Sequence, residues 1–272
     1  TINSNGQYSY TSTTTTGGVD NIQYVIKDRD GDTDTSASTG TLKITVDDID
    51  YTPTVTSDAK VVDETNLGPI VVNGSVTANY FSDGPGTVNG SNSFSSGGSK
   101  LGGNLTSNGV AVAVTFANGT YTGTAGGQTI FTLKVNADGS YTFTQNGVLD
   151  HADASNPDDS IELNFGIVAR DADGDTANGT IKIIVKDDGP TAVDDNTSVS
   201  AGNPTVTGNV TTNDDFGSDG KPATQPVTKV IYNGTTYNLP ADGSNVTVTT
   251  ANGKLTINSN GQYSYTSTTT TG

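Results

Sequence analysis

The stretch Ile161-Glu-Leu-Asn-Phe-Gly-Ile-Val-Ala-Arg-Asp-Ala-Asp-Gly-Asp-Thr-Ala-Asn-Gly-Thr-Ile-Lys-Ile-Ile-Val-Lys-Asp187 decides the fold class. Ile161, Leu163, Phe165 and Ile167 alternate with polar or small residues, and Ile181, Ile183 and Val185 do the same after an acidic turn. A period of two puts each set on one face of a strand. Ile22, Tyr24 and Ile26, then Leu42, Ile44 and Val46, repeat the pattern near the start of the chain. Asn5-Gly6, Asn118-Gly119, Asp138-Gly139, Asn178-Gly179 and Asn252-Gly253 are expected to supply hairpin turns, because such pairs tolerate positive φ. Abundant threonine suits exposed strand faces, and no segment keeps a helical period. The expectation is all-β, as tandem immunoglobulin-like β-sandwich domains.

Composition agrees with a turn-rich fold. Hydrophobic residues are 31% of the 272, and 34 glycines bring the sum near the usual globular share. Twelve Lys and Arg against 29 Asp and Glu leave a net charge of −17. That balance argues against nucleic acid and anionic membranes, both of which need clustered basic residues. No apolar run is long enough to span a bilayer, so no direct membrane insertion is expected. Multivalent cations are the partner that so much negative charge invites. Cys, Met and Trp are absent, which excludes disulfides and thiolate metal sites. The missing initiator Met points to an internal piece of a longer protein.

Residues Thr1 to Gly17 recur identically as Thr256 to Gly272, an offset of 255 residues. A weaker repeat divides that period: Leu133 to Thr144 aligns without gaps on Leu255 to Thr266. Asp28 to Thr33 pairs with Asp171 to Thr176, Thr41 to Asp48 with Thr180 to Asp187, and Asn73 to Asn79 loosely with Thr207 to Asn213. This frame gives a complete sandwich at 51–188. Residues 1–50 read as the C-terminal half of a second sandwich type, and 189–272 as its N-terminal half. The halves invite end-to-end complementation between molecules.

Asp28-x-Asp30-Gly-Asp32 and Asp171-x-Asp173-Gly-Asp175 place three carboxylates around one Gly. Ca²⁺ takes six to eight oxygen ligands, and a tight acidic turn offers several at once. An EF-hand is excluded by spacing, since Gly stands fourth and the twelfth residues are Thr39 and Lys182. Further ligands are expected from acids at the junctions between domains: Asp47, Asp48, Asp50, Asp63, Glu64, Asp187, Asp188, Asp194 and Asp195. Asp153, Asp158, Asp159, Asp214, Asp215 and Asp219 read as ordinary loop acids. Cations held from two domains would stiffen each joint. Asn73, Asn118 and Asn178 open formal glycosylation triplets but read as hairpin turns.

The combination of Gly139-Ser-Tyr-Thr-Phe-Thr144, Asp171 to Thr176 and Asp187-Asp-Gly-Pro190 resembles the repeats of giant bacterial adhesins exported by type I secretion, the RTX adhesins. Pro190-Thr-Ala-Val-Asp-Asp195 resembles the opening of related cadherin-like repeats. The resemblance implies Ca²⁺-stabilised extender domains that hold an adhesive tip away from the bacterial surface for attachment or biofilm formation. It carries calcium ligation to Asp28, Asp30, Asp32, Asp171, Asp173 and Asp175. The nonapeptide GGxGxD is absent, and the first junction, Asp47-Asp-Ile-Asp-Tyr-Thr-Pro53, is longer than the family's DD-x-P.

No enzyme is expected. His151, the single histidine, follows Asp150 in an acidic loop without a nucleophile elbow, and reads as a surface or capping residue. A binding module for glycans, ice or a host protein is the alternative, with the long segment 82–105 as its candidate loop.

Overall fold

The computed structural model describes residues 1–14, 17–33, 38–153, 156, 158–200 and 204–268. The far ends of the two identical copies, at 15–16 and 269–272, therefore lie outside the described residues. The protein is all-β: strands and short 3-10 turns with no α-helix among the described residues. Among the described residues no helix is long and apolar enough to cross a membrane.

The chain opens on an antiparallel hairpin of β1 (Gly18–Val25) and β2 (Thr39–Val46). Then come β3 (Thr54–Val55), β4 (Asp58–Asp63), β5 (Ile70–Ser75), β6 (Ala78–Asn79) and β7 (Thr87–Gly98). The next group is β8 (Thr106–Ser107), β9 (Val110–Ala111), β10 (Ala113–Ala117), β11 (Thr120–Ala125), β12 (Gln128–Val135) and β13 (Ser140–Gln145). The long strands β14 (Ser160–Arg170) and β15 (Thr176–Lys186) follow. The remainder is β16 (Thr205–Asn209), β17 (Lys229–Tyr232), β18 (Thr235–Asn238), β19 (Val246–Thr250), β20 (Gly253–Ile257) and β21 (Gln262–Ser267).

Two sheets form the central sandwich, one ordered β10-β11-β12-β13-β5 and the other β4-β15-β14-β7. All pairings are antiparallel except β4 on β15. The alternation expected from sequence buries Ile161, Leu163, Phe165, Ile167, Ile181, Ile183 and Val185 completely, opposite Phe131, Leu133, Tyr141 and Phe143 of the facing sheet. The Phe165 ring meets Phe94, Tyr121, Phe131 and Phe143 at centroid distances of 5.2–6.2 Å. Such buried aromatic contacts add to the burial of the rings themselves. Tyr121 spans the layers and donates its hydroxyl to the carbonyl of Gly166 at 2.6 Å.

Some sequence expectations shift. Asn118-Gly119 does turn β10 into β11, with φ of 50° and 73°. Asn178-Gly179 instead lies inside β15, where a Cβ on Gly179 would come within 3.2 Å of Val55 and Ile167. That glycine serves close packing, not a turn. Asn73-Gly74 likewise lies within β5, and its glycine leaves room for the Tyr141 ring, 2.3 Å from where a Cβ would stand. The hairpin joining β19 to β20 turns at Ala251-Asn252, one residue earlier than expected. Segment 82–105 is not a free loop, because its middle is β7, paired along most of β14. Its many Ser and Gly residues hid that strand.

Residues 205–267 build a second sheet, ordered β16-β21-β20-β19, with the β17–β18 hairpin beside it in sequence. Gly208 accommodates the ring of Tyr263 as Gly74 does that of Tyr141.

Candidate metal centres at the two ends of the sandwich

The β14–β15 turn is built around Asp171. Its backbone N–H donates to the Asp175 carbonyl at 3.1 Å, while its Oδ1 accepts from the N–H of Gly174 at 3.0 Å. Gly174 has φ 119°, a value that a side chain would make costly. The other oxygen of Asp171, Oδ2, is buried and has no partner. Carboxylate oxygens of Asp50, Asp83 and Asp173 gather within 4.8 Å of one another beside this turn. Asp83 is brought there from the segment before β7 and accepts from the N–H of Tyr51 at 2.7 Å. Thr52 donates to Asp175 Oδ2 at 3.4 Å, which ties the incoming chain to the same turn.

Electrostatics in this cluster follow from the crowding. Asp175, helped by burial and by Asp83 and Asp171, raises the pKa of Asp50. The hydrogen bond with Asp171, then burial and the charges of Asp171 and Asp83, raises Asp173. Burial also pushes Asp171 upward, but its bonds from Asp173, Gly174 and Asp175 outweigh that and leave it below the usual carboxylate range. Asp50, Asp83 and Asp173 each bring an oxygen to one place beside the turn, where they could hold a hard cation.

The opposite end of the sandwich holds a second cluster. Glu64 opens a 3-10 turn, Glu64–Asn66, capped by Asp63, whose Oδ1 accepts from the Thr65 N–H at 3.0 Å. The Glu64 side chain is fully buried. Its Oε1 accepts from Gln145 Nε2 and from the N–H of Leu149, the latter at 3.0 Å. Its Oε2 has no hydrogen-bond partner and faces His151 Nε2 at 3.8 Å, an atom that also lacks one. Asp187 offers a carboxylate oxygen to the same place. The other ring nitrogen, His151 Nδ1, lies 2.5 Å from Asp159 Oδ1.

The following segment closes the site. Asp188 accepts from the N–H of Ser218 at 2.8 Å through Oδ2, while its Oδ1 is buried without a partner. The Ser218 hydroxyl donates to the Glu64 carbonyl. A cleft of about 620 Å³ here is lined by His151, Asp187, Asp188, Asp214, Asp215 and Asp219, among others. Burial pushes Glu64 up to about 8, with the charges of Asp219 and Asp187 adding to it. Asp187 is pushed up to about 6, again chiefly by burial and against the pull of His151. Burial, then Asp188 and Asp150, raises Asp219.

Asp28, Asp30 and Asp32 repeat the first turn: Asp28 Oδ1 accepts from Gly31 and Asp32 at 3.0 and 2.8 Å, and Gly31 has φ 102°. All three are exposed and their oxygens converge, but no acid from another strand joins them within that group.

The sequence candidates thus separate. Asp50, Asp171, Asp173 and Asp175 meet at one end of the sandwich, with Asp83 as the member that sequence reasoning missed. Glu64, Asp187 and Asp188 meet at the other, because β4 carries the chain from the first end to the second before Glu64. Asp219, read as a loop acid, stands with them, and so does Asp159 through His151. The expectation of a surface histidine is corrected, since the His151 side chain is only 2% exposed. Asp47, Asp48, Asp63, Asp194 and Asp195 join none of these groups among the described residues. Asp194 is exposed, and its carbonyl accepts from the Asn213 side chain.

A family model described as a domain of unknown function (DUF5801) matches residues 43–184, more than half of the chain. The chain belongs to this family. The matched region holds the whole cluster around Asp171, together with Glu64 and His151, and stops just short of Asp187. No curated protein matches the chain.

Proposed function

We propose that the chain is a calcium-stabilised structural spacer whose cations sit at the two ends of the central sandwich and stiffen its joints with the flanking segments. The observation that carries this reading is that buried carboxylate oxygens stand without partners at both ends, Asp171 Oδ2 at one and Glu64 Oε2 and Asp188 Oδ1 at the other. Leaving such an atom buried and unpaired costs on the order of 1–3 kcal/mol, and more for a charged group. A divalent ion removes that cost. Each stands near an acid from a flanking segment, Asp171 near Asp50 before the sandwich and Glu64 near Asp219 after it.

With the ion bound, like charges that otherwise repel become shared ligands, so the angle between neighbouring units is held. The resemblance to RTX adhesin repeats extends the reading to a place on the bacterial surface, where a tandem array projects a distal adhesive region. Function here is mechanical, so the only partners needed are neighbouring repeats and Ca²⁺. An ion that binds the folded state alone stabilises it by roughly 2.7 kcal/mol at a hundredfold excess over Kd. Isothermal titration of the chelator-treated chain with CaCl₂ tests this. Saturable binding that loses one class of site in Asp173→Ala supports the reading, and no heat of binding in the wild type opposes it.

A further inference from the structure

We propose that the end of the sandwich around Glu64 and His151 takes a divalent transition ion of the zinc class in preference to calcium, held by Nε2 of His151 and by carboxylate oxygens of Glu64 and Asp187. The proposal rests on the reading that this end holds a cation, and assigns which one. Calcium enters the same place when no such ion is present, and binds there more weakly.

The two ends differ in the chemistry of their donors. Asp50, Asp83 and Asp173 offer oxygen alone, the donor that calcium takes. The other group contains an imidazole nitrogen, which suits zinc and its neighbours and is foreign to a calcium shell. One imidazole with carboxylates, and room left for water, is a common donor set for such an ion.

The imidazole is prepared to be a ligand. His151 Nδ1 lies 2.5 Å from Asp159 Oδ1, and Oδ2 of the same carboxylate accepts from the N–H of Asp153 at 2.8 Å. An ionised carboxylate can only accept, so it takes the proton of Nδ1 and leaves the lone pair on Nε2. A carboxylate behind a histidine is the arrangement that orients metal-binding imidazoles and raises their basicity. The backbone holds His151 in place by a bridge to Lys100, with the Leu101 N–H donating to the Asp150 carbonyl at 3.1 Å.

Glu64 is prepared in the same way. Its Oε1 is occupied by Gln145 Nε2 and the Leu149 N–H, so the side chain cannot turn and Oε2 is presented alone. Asp187 is tied to the same framework, because its N–H donates to the Asp159 carbonyl at 3.0 Å. Oε2 and Nε2 are both buried without partners, 3.8 Å apart. A charged pair would close to about 2.7–2.9 Å. Two ligands of one tetrahedral ion, each about 2.1 Å from it, stand about 3.4 Å apart. The gap therefore fits an ion between the atoms better than a proton. His151 and Asp187 also line the cleft of about 620 Å³, which gives the ion a way in.

Titration of the chelator-treated full chain with ZnCl₂ against a chromophoric zinc indicator, in a few millimolar CaCl₂, tests the proposal. The wild type is expected to take up one zinc ion despite the calcium, and Asp173→Ala to do the same. His151→Gln and Asp187→Asn each remove a ligand and are expected to weaken zinc by more than about a hundredfold, while Asp159→Asn keeps the ligands and weakens it about 10–100-fold. Asp187 is only half-buried, so its variant keeps the test open if His151→Gln does not fold. Zinc uptake that is absent in the wild type, or unchanged in His151→Gln and Asp187→Asn, overturns the proposal. Calcium binding without zinc uptake overturns it and leaves the spacer reading standing, whereas zinc uptake without any calcium binding supports it and overturns that reading.

Discussion

Oε2 of Glu64 lies 3.8 Å from Nε2 of His151, both side chains are buried, and neither atom has a hydrogen-bond partner. A carboxylate and an imidazole so placed, with Asp187 converging on them, are donors waiting for an acceptor of electron pairs. Removing the charge of Glu64 therefore acts in opposite directions with and without metal. Glu64→Gln is expected to raise the melting temperature of the metal-free chain at neutral to mildly alkaline pH by a few degrees. It is also expected to abolish the calcium response of that end. Thermal melts in chelator and in CaCl₂ separate the two effects.

The metal-free chain is expected to lose stability as pH rises. Glu64, pushed up to about 8, and Asp187, pushed up to about 6, bind protons in the folded state that the unfolded chain has released. Their stabilisation is complete below the unfolded carboxyl pKa of about 4, and is lost as pH climbs through the folded values. Calcium must displace those protons, so its affinity should rise over the same window. Melting temperature in chelator across that range, compared with the same series in calcium, checks the sign. A flat metal-free profile would contradict the assignment.

At the other end, Asp83→Asn and Asp173→Ala are expected to remove one class of calcium site, while Asp47→Asn leaves binding unchanged. Asp47 and Asp83 were indistinguishable by charge alone, but only Asp83 reaches the Asp50–Asp173 group. Ion counts by titration calorimetry report the difference.

Phe165→Ala is expected to destabilise the central sandwich by about 3–5 kcal/mol, since the ring joins both layers. Gly74→Ala should cost about 1–3 kcal/mol, because a Cβ there would stand 2.3 Å from the Tyr141 ring. Urea unfolding of each variant gives both values.

The two-residue alternation around Ile161–Val185 was enough to read the sandwich core from sequence, because one buried face leaves a period that composition cannot mimic. Strand β7 was not legible. Its Thr, Ser, Asn and Gly residues look like a loop, and it is a strand because β14 offers it an unpaired edge. The acidic turns were legible as motifs, since Asp-x-Asp-Gly-Asp must bend at its glycine. The rest of each cluster was not. Asp83 and His151 reach their sites through pairings far apart in sequence, and Glu64 changes ends with the direction of β4. Which acids are buried depends on the sheets above them.

Thermal unfolding followed by circular dichroism, in a few millimolar CaCl₂ and then in excess chelator, tests the central claim most directly. The account predicts a large, reversible rise in melting temperature with calcium that shrinks in Asp173→Ala and in Glu64→Gln. Identical melts with and without calcium would contradict it, and would reduce both carboxylate clusters to turn chemistry.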